Sequence, residues 1–254
     1  YGTTKANCTR KIGGYQILVD DNETIRKGWS VGKTIDENKN ILKDDWMNKK
    51  DIDKFAESAA LAYKEYPLFK YLTRGKFEHK VIKNIISASL HSMGTDIIGI
   101  STEEDANAIA IFVPPNYTGS KVIPFLIGGG IKLPFITPIG IFLRLLRYEN
   151  YAMKLKKKYT NHECWYLYNV TVKPEYQHKG MSSVLLKPMF EYLDRIGQDC
   201  YLETHKEVNI KIYEHYGFEL LEVSKIPKTD IVQYSMLRKP KKKVSKDEWI
   251  YENC

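Results

Sequence analysis

The segment from Val170 to Leu186 carries the residue types of an anion-binding turn. A predicted strand ends at Val172, and the chain then passes from Gln177 to Ser182 into a helix, with only one large hydrophobic side chain on the way. Main-chain N–H groups at the start of a helix are unpaired and lie at the positive end of the helix dipole. Gly180 permits close approach of the backbone to a ligand. The pattern predicts a phosphate-binding turn, although one glycine before a helix is a common feature in itself.

A second group of polar residues accompanies the next predicted strand, Cys200–Thr204. Glu203 lies in that strand, and Asn209 and Tyr213 follow it in a short predicted helix. A carboxylate can accept a proton during catalysis and a phenol can donate one. Glu163, at the start of the preceding strand, is a second candidate for the base. Each residue also has a structural interpretation, because asparagine often caps helices, tyrosine packs helices against sheets, and carboxylates line surfaces.

These residues are positioned by a predicted strand–helix–strand unit. The strand Trp165–Val172 is apolar on both faces, as a central strand should be. A helix at 179–196 and the strand Cys200–Thr204 follow, which implies a parallel pair with a right-handed crossover. A helix at 208–216 and two closing antiparallel strands at 218–223 and 231–238 complete the pattern.

The first half of the chain predicts two amphipathic helices and two hairpins. The helices begin at Asp51, with Pro67 as the stop, and at Phe77; the hairpins are 15–31, returning through Ile25 and Trp29, and 97–113. The most apolar stretch, 122–148, contains Gly128–Gly130, Pro134 and Pro138. A membrane span needs about 20 continuous apolar helical residues, so we expect a helix, loop and helix here, with an apolar pocket or interfacial docking as the alternative.

The composition is that of a soluble globular protein. The 254 residues are 43% hydrophobic and 28% charged, which excludes a collagen, a coiled coil and a disulfide scaffold. The 39 basic and 31 acidic side chains give a net charge of +8, but the lysine-rich stretches lack interleaved aromatic residues, so we expect no nucleic-acid partner. The four cysteines have no CxxC spacing. We therefore predict no metal site, no transmembrane segment and a cytoplasmic location.

The run Gln177-His-Lys-Gly-Met-Ser182 resembles the acyl-CoA-binding motif of the GNAT superfamily of N-acetyltransferases. That motif is Gln or Arg, two residues, Gly, one residue, and Gly or Ala, so Ser182 is a mild departure. A second match lies at Leu202–Thr204 with Asn209 and the run 212–218. Further features resemble the puromycin N-acetyltransferase-like branch: Tyr66–Phe69, Val113–Pro115, Trp165–Leu167, Pro188 and Met236–Arg238.

The resemblance implies a mixed α/β GNAT fold. Its central sheet is mixed but mostly antiparallel, with about six or seven strands, splayed at a parallel pair and covered by helices on both faces. It covers 47–240 as the acetyltransferase domain and leaves 1–46 as an N-terminal extension of unknown role and 241–254 as a charged tail.

The resemblance also implies where acetyl-CoA binds. Backbone groups of the central strand would pair with the pantetheine amides, and N–H groups from His178 to Ser183 would hold the pyrophosphate. The implied coenzyme-binding residues are Val170, Thr171, Val172, Gln177, His178, Lys179, Gly180, Met181, Ser182, Ser183, Asn209 and Tyr213.

The implied reaction is transfer of an acetyl group to a primary amine, expected on a small molecule, by direct attack in a ternary complex. It requires removal of a proton from the ammonium, stabilisation of the developing oxyanion and protonation of the thiolate. Tyr213 stands at the family's catalytic tyrosine position, and Glu203 and Glu163 are the candidate bases. The alternative is a catalytically inactive GNAT-fold module that binds acyl-CoA. The sequence leaves the acceptor, the acyl-chain preference and the oligomeric state open.

Overall fold

A computed structural model describes residues 49–93, 97–102, 108–115, 117, 138–160 and 163–241, together with short strands nearer the amino terminus. Those short strands are β1 (Thr9–Ile12), β2 (Tyr15–Val19), β3 (Ile25–Arg26), β4 (Trp29–Gly32), β5 (Thr34–Ile35) and β6 (Ile41–Leu42). The later strands are β7 (Ile98–Thr102), β8 (Ala108–Val113), β9 (Trp165–Val172), β10 (Cys200–Thr204), β11 (Phe218–Lys225) and β12 (Val232–Arg238).

Within these described residues the main sheet has seven strands in the order β11-β12-β10-β9-β8-β7-β4. The β9–β10 pair is parallel, and every other neighbouring pair is antiparallel. This is the mixed α/β GNAT fold, as expected from the resemblance. The predicted hairpin at 15–31 is right for β2 and β3, which pair antiparallel, but Trp29 does not continue the return strand. Instead β4 pairs with β7 and forms an edge of the main sheet.

The described helices are α1 (Lys49–Ala62), α2 (Pro67–Thr73), α3 (His79–Met93), α4 (Ile139–Tyr159), α5 (Met181–Ile196) and α6 (Val208–His215). Sequence patterning predicts Pro67 as a stop, and the structure shows that it also starts α2. Proline suits the first position of a helix because the N–H that it lacks would have no partner there. Residues 122–137 of the apolar stretch lie outside the described residues. None of the helices that the structure describes is long and apolar enough to cross a bilayer.

Helices cover both faces of the sheet. The residues of β8 alternate between two apolar clusters, one on each face. Phe112 packs in one cluster with residues of α5 such as Leu186 and Met189. Ile109 and Ile111 pack in the other with residues of α1 and α3. A strand buried on both faces is what the centre of an α/β sheet requires. A third cluster joins α2, α3 and α4.

Strand β9 carries a bulge next to the centre of the sheet. Leu167 pairs with Phe112 and Asn169 pairs with Ile111, so Tyr168 is an extra residue in β9. A bulge reverses which side chains face each side of a sheet. Leu167 before the bulge and Val170 after it therefore both pack on the α5 side of the sheet.

The parallel pair separates soon after it forms. Only Cys200–Trp165 and Tyr201–Tyr166 are paired, although β9 continues to Val172 and β10 to Thr204. The carboxyl-terminal halves of the two strands therefore border an opening in the sheet. This opening lies at the end of β9 that leads into the predicted phosphate-binding turn.

Candidate active site

A cavity of about 140 Å³ lies at the opening between β9 and β10. Its size is close to the roughly 150 Å³ of protein cavities that admit benzene. Tyrosine rings and two carboxyl groups dominate its polar lining. The aromatic and polar lining residues are Tyr63, Tyr66, Phe69, Ser89, Tyr148, Glu149, Tyr166, Tyr168, Asn169, Glu203, His205, Asn209 and Tyr213.

Glu203 lies on β10 just beyond the last residue that pairs with β9. Burial raises the pKa of its carboxyl group to about 7. A hydrogen bond from the Tyr166 hydroxyl and the positive charge of Lys156 limit that rise. The Lys156 ammonium lies 4.4 Å from the centre of the Tyr166 ring. A carboxyl group with a pKa near neutrality is suited to accept and release protons at physiological pH.

Glu149 is a second carboxyl group in the cavity, and sequence reasoning missed it. Burial raises its pKa, and its negative charge adds to the rise in the pKa of Glu203. Arg144, one turn earlier on α4, donates from Nε to the Leu72 carbonyl oxygen at 2.8 Å and so ties α4 to the end of α2. Glu149 lies between Leu145 and Ala152 at helical spacing, and both of those residues also line the cavity. In the sequence, this spacing is the signal that places Glu149 on the same face of a predicted helix as Leu145 and Ala152.

Tyr213 also lines the cavity, as expected for a proton donor at this site. Its ring packs edge-on against Phe218 with the centroids 5.7 Å apart. Burial raises the pKa of its hydroxyl group, which therefore stays protonated at neutral pH. Tyr213 thus packs the helix against the sheet and lines the cavity at once.

Asn209 belongs to a hydrogen-bonded group at the end of β10. Its side-chain amide donates to Thr204 Oγ1 at 2.8 Å, so it does not cap the helix. The Tyr66 hydroxyl lies 3.3 Å from the same oxygen and accepts from the main-chain N–H of His205 at 3.1 Å. This network fixes the end of β10 against the loop before α2.

The opposite wall is formed by Tyr63 and residues of β9 beyond the bulge. The Asn169 side-chain amide donates to the Tyr63 hydroxyl at 2.5 Å, and Thr171 Oγ1 donates to Asn169 Oδ1 at 2.8 Å. The Tyr63 ring stacks on Phe69, with centroids 4.7 Å apart. Val170 lines the cavity, whereas the Thr171 side chain is buried and Val172 is half-buried.

The turn from Gln177 to Ser182 presents unpaired N–H groups. His178 and Gly180 both have positive φ values, 61° and 74°, and Gly180 caps α5. Within the described part of the chain, the main-chain N–H groups of residues 178–182 have no hydrogen-bond partner. The N–H of Ser183 differs from these, because it donates to the Gly180 carbonyl at 3.0 Å in the first turn of the helix, and its contact with the coenzyme stays a prediction.

Side chains on both sides hold this turn in place. Gln177 Nε2 donates to the carbonyl oxygen of Val172 at 3.1 Å, which connects the turn to the end of β9. Met181 is buried in the core, and the Ser183 hydroxyl lies 2.7 Å from the Tyr216 hydroxyl. Lys179 lies over the Tyr176 ring at 5.4 Å. The exposed N–H groups are thus anchored on a rigid helix start.

Glu163 is not brought to this site. It is exposed, it precedes the amino-terminal end of β9, and it is absent from the cavity lining. The opening is at the other end of the same strand. The second predicted base is therefore separated from Glu203 and Tyr213, which share the cavity.

Comparison with known proteins agrees with this architecture. Residues 145–218, from α4 to the start of β11, match the sequence profile of the Acetyltransferase (GNAT) family. Over this segment the chain is similar to the GNAT acetyltransferase family. The matched residues include the turn, Glu149, Glu203 and Tyr213. Assignment to the puromycin N-acetyltransferase-like branch stays a prediction.

A curated relative is an uncharacterized N-acetyltransferase of Schizosaccharomyces pombe, 30% identical over 151 residues. The match covers 59% of this chain and 58% of that protein, so the chain spans little more than half the length of this relative.

Two solved structures are similar to this chain at low identity. One is titled histone acetyltransferase HPA2 and related acetyltransferase, from Corynebacterium glutamicum; it is 14% identical, and the match covers 78% of this chain and 95% of that chain with a TM-score of 0.48. The other is arylalkylamine N-acetyltransferase 2 from Aedes aegypti; it is 15% identical, and the match covers 76% of this chain and 96% of that chain with a TM-score of 0.48. Similarity at this level carries no information about the acceptor.

Proposed function

We propose that this chain is an acetyl-CoA-dependent N-acetyltransferase that acts on the primary amine of a small molecule. The observation that carries the proposal is the arrangement at the opening between β9 and β10. A turn with unpaired N–H groups follows one strand, and a carboxyl group with a pKa of about 7 lies on the other, in the cavity that Tyr213 also lines.

The residues present fit a coenzyme with a diphosphate and an amide-containing arm. The N–H groups of residues 178–182 would bind the diphosphate, because they are exposed and unpaired at the positive end of α5. Apart from its two chain neighbours, no described residue has an atom within 4 Å of the position that a Cβ at Gly180 would occupy, so a ligand can approach the backbone there. Among the described residues no strand pairs with this edge of β9 from Val170 to Val172, and its main chain would pair with the amide groups of the arm, as an added strand does.

When bound, acetyl-CoA supplies an acetyl group as a thioester. The Glu203 carboxylate takes one proton from the acceptor's ammonium group, which leaves a neutral amine able to attack the thioester carbonyl. A nitrogen–carbon bond forms and the carbon–sulfur bond breaks. The sulfur takes the Tyr213 proton, and the second nitrogen proton, released as the amide forms, restores the Tyr213 hydroxyl directly or through water. Glu203 then loses its proton to solvent.

The size of the cavity supports a small acceptor. About 140 Å³ accommodates a molecule of benzene size, and the tyrosine rings provide apolar walls. We therefore propose a compact amine rather than a folded protein as the acceptor.

The test is release of coenzyme A thiol from acetyl-CoA with a library of small amines. We expect turnover with some acceptors, and we expect Glu203→Gln and Tyr213→Phe each to lower kcat by about 10²-fold or more. Both variants should still bind coenzyme A, because neither side chain belongs to the turn. Glu191→Gln, on the exposed side of α5, is the matched control and should retain full activity.

The alternative, an inactive acyl-CoA-binding module, makes a different prediction. It requires thermal stabilisation by acetyl-CoA in the wild type and in Tyr213→Phe, with no turnover for any acceptor. That outcome would overturn the catalytic proposal and leave the coenzyme site intact.

A further inference from the structure

Glu149 has a half-buried side chain with a carboxyl group that the proposed reaction does not use. It faces the same cavity as Glu203, on the side formed by α4. Its carboxyl group has no hydrogen bond or ion pair with any residue that the structure describes. A partly desolvated carboxylate that lacks a partner is less stable than one in open water, so a cation bound in the cavity would stabilise it.

The cavity has two acidic groups and no lysine or arginine among its described lining residues. Lys156 lies behind the Tyr166 ring and is not part of the lining. His205 does line the cavity, but burial lowers the pKa of its imidazole to about 4, which keeps it neutral at physiological pH. An acceptor with a single ammonium group would neutralise only one carboxylate.

We infer that Glu149 binds a second cationic group on the acceptor, so that the preferred substrate class is a compact diamine. The inference rests on the proposed N-acetyltransferase function. In the complex, the amine to be acetylated lies at Glu203 and the distal ammonium lies at Glu149. Glu149 is a specificity-determining residue in this arrangement, because it holds the end of the acceptor that does not react.

The walls of the cavity suit a dication as well. Tyr148, Tyr166 and Tyr168 line it near the two carboxyl groups, and the negative charge of Glu149 contributes to the raised pKa of the Tyr166 and Tyr168 hydroxyl groups. Tyrosine rings attract cations through their faces. The volume of about 140 Å³ matches a six-heavy-atom ligand such as 1,4-diaminobutane, which has as many heavy atoms as benzene.

The surroundings of the two carboxyl groups fit their two roles, Glu203 as the base and Glu149 as the site of the distal ammonium group. Because Glu203 has its Tyr166 hydrogen bond and the nearby Lys156, its charged form is supported within the protein. Burial raises the pKa of Glu149, and none of the residues that the structure describes offsets that rise. A ligand cation would supply that missing partner.

The experiment compares kcat/KM for 1,3-diaminopropane and 1,4-diaminobutane with kcat/KM for propylamine and butylamine. In the wild type we expect the diamines to be preferred by about tenfold or more, the typical value of a buried charge-assisted contact. Glu149→Gln should remove that preference, because kcat/KM for the diamines falls much further than kcat/KM for the monoamines when both are measured well above pH 7, where Glu203 is ionised in either protein. Glu191→Gln should change neither ratio.

Two results would overturn the inference. One is equal use of diamines and monoamines by the wild type. The other is an equal loss for both acceptor classes in Glu149→Gln, with an unchanged melting temperature, which would place Glu149 in the chemical step instead. If the variant melts lower, the diamine-to-monoamine ratio measured below its melting temperature still decides. Failure of the proposed function is distinct, because it means no turnover of any of these amines by the wild type.

Discussion

The hydroxyl group of Tyr166 hydrogen-bonds the carboxyl group of Glu203 across the two parallel strands of the sheet, at the point where they part. Tyr166 is paired with Tyr201 in the last matched position of β9 and β10, and Glu203 is two residues further along β10. The hydrogen bond therefore joins the last closed part of the sheet to the opening. It also stabilises the charged form of Glu203 and so opposes the effect of burial on its pKa.

The first prediction concerns the pH dependence of the wild type. Because Glu203 must be ionised to accept a proton and its pKa is about 7, kcat/KM should fall as the pH drops below 7 and approach a plateau above it. In Tyr166→Phe the stabilising hydrogen bond is lost, so the pKa of Glu203 rises and the ascending limb moves to higher pH. A pH–rate profile of both proteins is the measurement. An unshifted limb in the variant would contradict the assignment of Glu203 as the base.

The second prediction concerns Lys156, whose positive charge lowers the pKa of Glu203. Lys156→Met should move the ascending limb to higher pH and leave the plateau rate little changed, since the residue acts only through Glu203. Lys154→Met removes an exposed charge from the same helix and is the matched control. Equal shifts in both variants would mean a general effect of net charge.

The third prediction uses two glycines with nearly the same backbone conformation. Gly180 has φ of 74° and Gly75 has φ of 76°, and at either position an added Cβ would have no atom of the described residues within 4 Å, its two chain neighbours apart. Alanine at either position should cost about 1 kcal/mol of stability, because L residues are strained there. Only Gly180→Ala should also weaken coenzyme A binding, since Gly75 lies after α2 and outside the turn. Calorimetric titration of the two variants decides, and equal affinities would argue against the turn as the diphosphate site.

The fourth prediction concerns the buried Arg238. Its Nη2 donates to Asp194 Oδ2 at 2.7 Å, and its Nε donates to the Tyr216 carbonyl at 2.9 Å. Arg238 is 2% exposed, so loss of its carboxylate partner leaves a buried charge without compensation. Asp194→Ala should lower the free energy of unfolding by about 3 kcal/mol in urea denaturation. Asp230→Ala, at an exposed position, should change it little, and equal effects would refute the role of the pair.

The sequence predicted the parts of the site that depend on local pattern. The turn at Gln177 to Ser182 and the strand containing Glu203 have short-range signals, because glycine position and strand hydrophobicity are local properties. The structure agrees with both. The roles given to Glu203 and Tyr213 stay predictions that the assays above would test.

Other features depended on long-range packing and were missed. Glu149 follows an apolar stretch, and it lines the cavity only because α4 packs over the opening. Glu163 and Glu203 look equivalent in sequence because both belong to the ends of neighbouring strands. The direction of β9 separates them, since the strands part at its carboxyl end and Glu163 precedes its amino end.

The most direct test of the account is a calorimetric titration of the wild-type chain with coenzyme A. If residues 178–182 hold the diphosphate, the titration gives saturable binding at one site, and Gly180→Ala weakens it while Gly75→Ala does not. Absence of binding at roughly millimolar coenzyme, which means a binding free energy weaker than about −4 kcal/mol, would contradict the account.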